Sequence, residues 1–205
     1  MKKLILIFFC FIFVPRLYSQ DFKFLQGINL SRYNIHPEVF VDSLGNEYEY
    51  NINNIKGFII GTGIEFPVAS KITVEIDALL QQKGSEVTLQ LPYSLLLEWN
   101  YTLNVINFPV MLKIRPLSSL PAYILGGGEF SLVLSHKSNE ADVTGITKSF
   151  DYGAVLGGGY EIKMKNNSIF IEIRYHLGLK NISENLRFES VKTNTIAIIL
   201  AFKVG

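Results

Sequence analysis

The sequence predicts an all-β chain of eight antiparallel strands, closed up-and-down into a barrel. Three observations predict it. Apolar residues recur at every second position over segments of about 10 to 14 residues, as a strand with two different faces requires. The connections between these segments alternate between long and short. No segment carries the 3.6-residue period of an amphipathic helix, and none approaches the roughly 18 consecutive apolar residues of a membrane-spanning one.

Residues 1–19 read as a cleaved signal peptide rather than as part of the barrel. Lys2 and Lys3 are followed by an apolar run from Leu4 to Val14, which Pro15 ends before Ser19. That run is too short to span a bilayer, which takes about 20 residues. Cleavage after Ser19 leaves residues 20–205 as one barrel domain and removes Cys10, the single cysteine. It also removes Lys2, Lys3 and Arg16, so the 19 basic residues fall to 16 against 18 acidic ones, and the net charge goes from +1 to −2.

The strands lie near 23–33, 55–66, 72–83, 99–115, 121–135, 151–164, 169–180 and 191–204. The segment 169–180 is the clearest. Its odd positions are apolar or Tyr, and its even positions include Glu172, Arg174, His176 and Lys180. A helix would mix these sets on every face, whereas a strand separates them. Residues 72–80 repeat the pattern, with Glu75 and Asp77 on the second face. Short turns are read near 67–70, 116–120 and 165–168, and long loops at 34–54, 84–98, 136–150 and 181–190. Asn166-Asn167 suits a two-residue hairpin turn, which would set Ile162 against Ile171 and Glu161 against Glu172.

Alternation alone does not say which face meets what. A soluble barrel buries its apolar face, whereas a membrane barrel turns that face to lipid. The apolar faces here carry large aliphatic residues and no charge, and the strands have the length of a tilted membrane crossing. Aromatic residues (Phe66, Trp99, Tyr101, Tyr152, Phe170 and Phe202) stand near the predicted strand ends, as in interfacial girdles. These features favour the transmembrane barrel.

The lipid-facing residues are then Ile72, Val74 and Ile76; Ile106, Phe108, Val110 and Leu112; Ile169, Ile171 and Ile173; and Ile196, Ile198, Leu200 and Phe202. The lumen receives Glu65, Glu75, Asp77, Lys113, Arg115, Glu129, Glu161, Lys163, Glu172, Arg174 and His176. Eight strands leave an interior just wide enough for side chains to fill. Mixed charges there predict a salt-bridged plug rather than a pore of one dominant sign.

Several segments also resemble a known family. They are Gly57-Phe58-Ile59-Ile60-Gly61 leading to Phe66-Pro67, Leu80-Gln81-Gln82-Lys83-Gly84, Ile106 to Lys113, and Tyr123 to Gly128. Together they look like the PorT-like outer-membrane β-barrels of Gram-negative bacteria. The most specific piece is the apolar-Pro-apolar-apolar-apolar-Lys string at 108–113, and the likeness covers nearly the whole mature chain. It implies an eight-stranded outer-membrane barrel with both termini in the periplasm. Some relatives serve protein secretion, but no motif here selects that role.

Composition and motifs exclude other classes. The balance of 19 basic and 18 acidic residues gives no face for nucleic acid, and one cysteine makes no disulfide scaffold. Gly126 to Gly128 and Gly157 to Gly159 lack the Lys-Ser/Thr of a phosphate loop and read as marking a bend, a bulge or a close strand approach. Glu172-x-Arg174-x-His176 places an acid and a histidine on one face, which reads as a salt-bridge ladder ahead of a catalytic pair. His36 and His136 fall in predicted loops with no second ligand at metal-binding spacing, so no metal or cofactor is expected.

The resulting expectation is a monomeric, non-enzymatic outer-membrane barrel with a plugged lumen. Its role is structural or one of surface interaction, through the loops at 34–54, 84–98, 136–150 and 181–190. A narrow pore or secretion-accessory barrel and a soluble lipocalin-like binder are the alternatives.

Overall fold

The computed structural model describes residues 21–204, except 37, 42, 92–94, 118–119, 140, 166 and 185–189. The proposed signal peptide therefore lies outside the described residues. The strands are β1 (Asp21–His36), β2 (Val39–Val41), β3 (Glu47–Asn53), β4 (Ile55–Ala69), β5 (Ile72–Gln90) and β6 (Leu96–Ile114), then β7 (Ala122–Ser138), β8 (Ala141–Asp142), β9 (Phe150–Lys163), β10 (Asn167–Gly178) and β11 (Ser190–Val204). The helical element among the described residues is one 3-10 turn, Thr144–Ile146.

Eight of these strands form a closed antiparallel ring in the order β1-β4-β5-β6-β7-β9-β10-β11, with β11 paired back to β1. Closure removes the sheet edges. The other three strands decorate the long-loop end: β2 and β3 form a hairpin that pairs with the end of β5, and β8 pairs with β7.

All eight predicted strands are present, but two details differ. The segment 84–98 is not a loop along its length. β5 and β6 remain paired out to Gln90 and Leu96, so only a short connection joins them. The hairpin after β9 is shifted by two residues from the Asn166-Asn167 reading. Ile169 pairs with Ile162, and Met164 N–H donates to the Asn167 carbonyl. A shift of two keeps every side chain on its predicted face. It also sets Glu172 opposite Gly159 rather than Glu161, which removes the like-charge pair.

The outer wall changes character partway up. On β5 the outward residues are Ile72, Val74, Ile76, Ala78 and Leu80, followed by Gln82, Glu86, Thr88 and Gln90. On β6, Ile114, Leu112, Val110, Phe108 and Ile106 give way to Asn104, Thr102 and Asn100. On β1 the exposed Phe22, Phe24, Ile28 and Leu30, with Gln26 among them, give way to Arg32, Asn34 and His36. The changeover is level between neighbouring strands: Leu80 pairs with Ile106 and Gln82 with Asn104, while Leu30 pairs with Ile196 and Arg32 with Asn194. The apolar band covers nine residues on β5, Ile72 to Leu80, close to the roughly 9–11 of a tilted membrane crossing.

The inner wall loses its charges over the same height. Beside the apolar band it carries the buried charges, set among a buried apolar cluster that includes Leu25, Ile59, Leu79, Met111 and Phe170. Above the band, toward the long loops, Tyr33, Ile35, Val87, Leu103, Val105, Ile182 and Val191 form a buried apolar cluster.

Candidate functional site

Inside the apolar band, the lumen is crossed by an ion-pair network. Lys23, Lys113 and Arg174 meet Glu65, Glu75, Asp77 and Glu172, all at most 2% exposed. Arg174 extends from β10 and donates Nη1–H to Asp77 Oδ2 (2.6 Å) and Nη2–H to Glu75 Oε1 (2.8 Å), both on β5. These strands are diametrically opposite in the eight-stranded ring, so this one side chain braces the full width of the lumen. Its Nε–H donates to Glu172 Oε2 at 2.7 Å. Lys113 lies 2.5 Å from Glu65 and 2.6 Å from Glu75, and Lys23 lies 2.5 Å from Glu75. Two rings complete the layer. Tyr123 donates its hydroxyl to Glu172 at 2.6 Å, and the Lys113 ammonium sits over the Tyr123 and Phe170 rings at 4.3 and 4.7 Å.

Gly159 makes room for this layer. A Cβ there would meet the Tyr123 hydroxyl at 2.5 Å and Glu172 Cγ at 2.9 Å. Gly127 serves a close strand approach instead, since its Cβ would fall 2.0 Å from the Val110 carbonyl oxygen.

A second polar layer lies nearer the long loops. Glu129 accepts from His176 Nδ1 at 2.6 Å and from Asn107 Nδ2 at 2.8 Å, while Ser131 donates to Asn107 at 2.9 Å and Lys83 stands 3.8 Å away. At the turn end, Glu161 joins Arg115 and Ser168, each at 2.8 Å, and the partly exposed Lys203 pairs with Asp21 at 2.5 Å.

The mouth at the long-loop end is braced without charge. Tyr33 on β1 and His136 on β7, again diametrically opposite, are joined at 2.9 Å from hydroxyl to Nε2. His136 Nδ1 lies 2.6 Å from Thr147 Oγ1, and that hydroxyl donates to the Val143 carbonyl at 2.9 Å. Because the Thr147 proton is committed to Val143, His136 donates through Nδ1, and burial, which pushes the imidazole pKa down to about 4, leaves Nε2 to accept the Tyr33 proton. The imidazole is thereby held as one neutral tautomer. The turn itself is tied by Thr144, whose backbone N–H donates to Asp142 Oδ1 at 2.9 Å. Hydrogen bonds from the Thr144 hydroxyl and N–H hold the exposed Asp142 carboxyl below the usual carboxylate range.

Of the residues assigned to the lumen by sequence, Glu65, Glu75, Asp77, Lys113, Glu129, Glu161, Glu172, Arg174 and His176 are buried on the inner wall, and Arg115 is half-buried at the turn end. Lys163 is exposed, because β9 ends there and its side chain clears the rim. Glu172 and His176 do not act on a common group: one serves Arg174 and Tyr123, the other Glu129. The residues assigned to lipid lie on the outer wall, none of them buried. Three proposed girdle residues turn inward instead. Phe170 is fully buried beneath Lys113, and Trp99 and Tyr101 line the mouth. His136 is buried in β7 rather than in a loop.

The sequence reading missed Lys23, Tyr123 and the Tyr33–His136 brace. Lys23 was legible from alternation, since it shares its face with Leu25, Asn29 and Ser31. The brace was not, because its partners stand 103 residues apart and pattern reports a face, not a height.

The outer membrane protein beta-barrel domain family matches residues 19–184, most of the chain. The chain belongs to this family. It is thus an outer-membrane β-barrel, and a soluble barrel with an apolar interior is set aside for the banded half, where the apolar face is outside. Among solved structures it is similar to Neisserial surface protein A, with 14% identity over 91% of this chain and 98% of that one and a TM-score of 0.47. It is similar to Ail of Yersinia pestis (13%, 90% and 99%, TM-score 0.44) and to OprG of Pseudomonas aeruginosa (11%, 88% and 94%, TM-score 0.47). No curated protein matches.

Proposed function

We propose that this outer-membrane barrel is a monomeric structural or surface-interaction protein whose lumen is sealed by its own side chains. The apolar band from Ile72 to Leu80 and its counterparts meets lipid. The short turns and both termini face the periplasm, and the long loops with the β2–β3 hairpin stand outside the cell. The string Phe108-Pro109-Val110-Met111-Leu112-Lys113 supports a finer placement among PorT-like barrels. In it, Phe108, Val110 and Leu112 lie on the outer wall while Lys113 enters the ion network.

The observation that carries the reading is Arg174, which is fully buried and bonded to both opposite walls of the lumen. Each charge in the layer has a partner of opposite sign, so opening a path for ions would strand charges in a low-dielectric interior. Planar-bilayer recording of the purified protein tests this. The expected result is no steady discrete conductance, and regular single-channel steps would contradict the seal.

A further inference from the structure

The mouth encloses a cavity of about 200 Å³ above the apolar band. Its walls include Tyr33, Tyr101, Trp99, Val87, Ile146 and Ile182. None of the described lining residues is an Asp, Glu, Lys or Arg, and the single histidine, His136, has both ring nitrogens committed as a neutral tautomer. We propose that this cavity is a binding site for a small neutral aromatic compound carrying at most one hydroxyl or N–H group.

Size, wall chemistry and charge all point to that class. A dry apolar cavity of about 150 Å³ already admits benzene, so this one takes a single substituted ring. Tyr33 and Tyr101 stand with ring centroids 5.8 Å apart at 47°, and Tyr101 and His136 at 5.7 Å and 44°. They offer both faces and edges to a guest ring. Ser138, hydrogen-bonded to Tyr101, keeps acceptor capacity on its hydroxyl oxygen for one O–H or N–H of a guest. A charged guest would lose its hydration and find no counter-ion, which excludes carboxylates and amines. The site lies where the outer wall is already polar, so a guest enters from water rather than from lipid.

Trp99 is the only tryptophan of the chain and lines the cavity, so its fluorescence reports occupancy. The full barrel in detergent is titrated with 4-bromophenol, a neutral heavy-atom quencher, at a pH where its hydroxyl is protonated. The expected result is saturable quenching, with no saturable component from 4-bromobenzoate. Val87→Phe fills the cavity from the wall and Ile146→Phe from the half-exposed turn. Each should weaken the saturable phase by about tenfold or more, with the heat-dependent gel shift of the folded barrel retained. Ile146→Phe, at a position 50% exposed, keeps the test alive should Val87→Phe not fold. Quenching that is linear in probe, or saturable but equal in wild type and the folded filled variant, would overturn the proposal.

Discussion

The two halves of this barrel solve the same closure problem with opposite chemistry. In the turn-side half the outer wall is apolar and the inner wall mixes the ion network with buried apolar residues such as Leu25, Leu79 and Phe170. In the loop-side half the outer wall of β1, β5 and β6 is polar and the inner wall aromatic and aliphatic. Each half carries a brace between opposite strands. Below it is Arg174 with Asp77 and Glu75, and above it is Tyr33 with His136. The contrast teaches that what stands outside dictates what is buried. Where the outer wall is apolar, the interior combines apolar side chains such as Leu25, Ile59, Leu79 and Phe170 with charges, which are tolerable only in mutual neutralisation. Where water returns outside, the ordinary soluble arrangement returns with it.

The sharpest way to break the contrast is to remove a brace from each half. Arg174→Ala strands Glu75, Asp77 and Glu172 together, so unfolding by urea in lipid vesicles should show a loss of about 3–5 kcal/mol. Tyr33→Phe removes one hydroxyl from a neutral chain and leaves the His136 nitrogen unpaired, which should cost about 1–3 kcal/mol in the same assay. If the two losses were equal, the distinction between ionic and neutral halves would fail. The smallest effect is expected at the rim, where the Lys203–Asp21 pair is partly exposed. Lys203→Ala should change stability by about 0–1 kcal/mol, and less as salt is raised.

How much of this was legible in the sequence follows the same division. In the banded half, alternation gave the strands, their faces and most of the charged layer, because the outer wall carries an unbroken apolar stripe such as Ile169, Ile171 and Ile173. In the upper half the sense of alternation inverts at Leu80 and Gln82. Residues 84–90 then lose the apolar outward stripe that marked the strand, and so read as loop although they remain paired to β6. The hairpin near Asn167 illustrates another limit. A two-residue error in register left every face correct while changing every partner. Partners across the lumen, such as Arg174 and Asp77, follow from ring closure, which no local pattern encodes.

Adjacent residues on β10 offer the most direct test of the inside-out arrangement. Ile173 is 58% exposed on the outer wall beside the fully buried Arg174. Ile173→Arg, assayed by its heat-dependent gel shift after folding into lipid vesicles, should lose about 2–4 kcal/mol of folding free energy near the bilayer midplane. An Ile173→Arg protein that folds as well as wild type, and stays in solution without detergent, would contradict a lipid-facing wall.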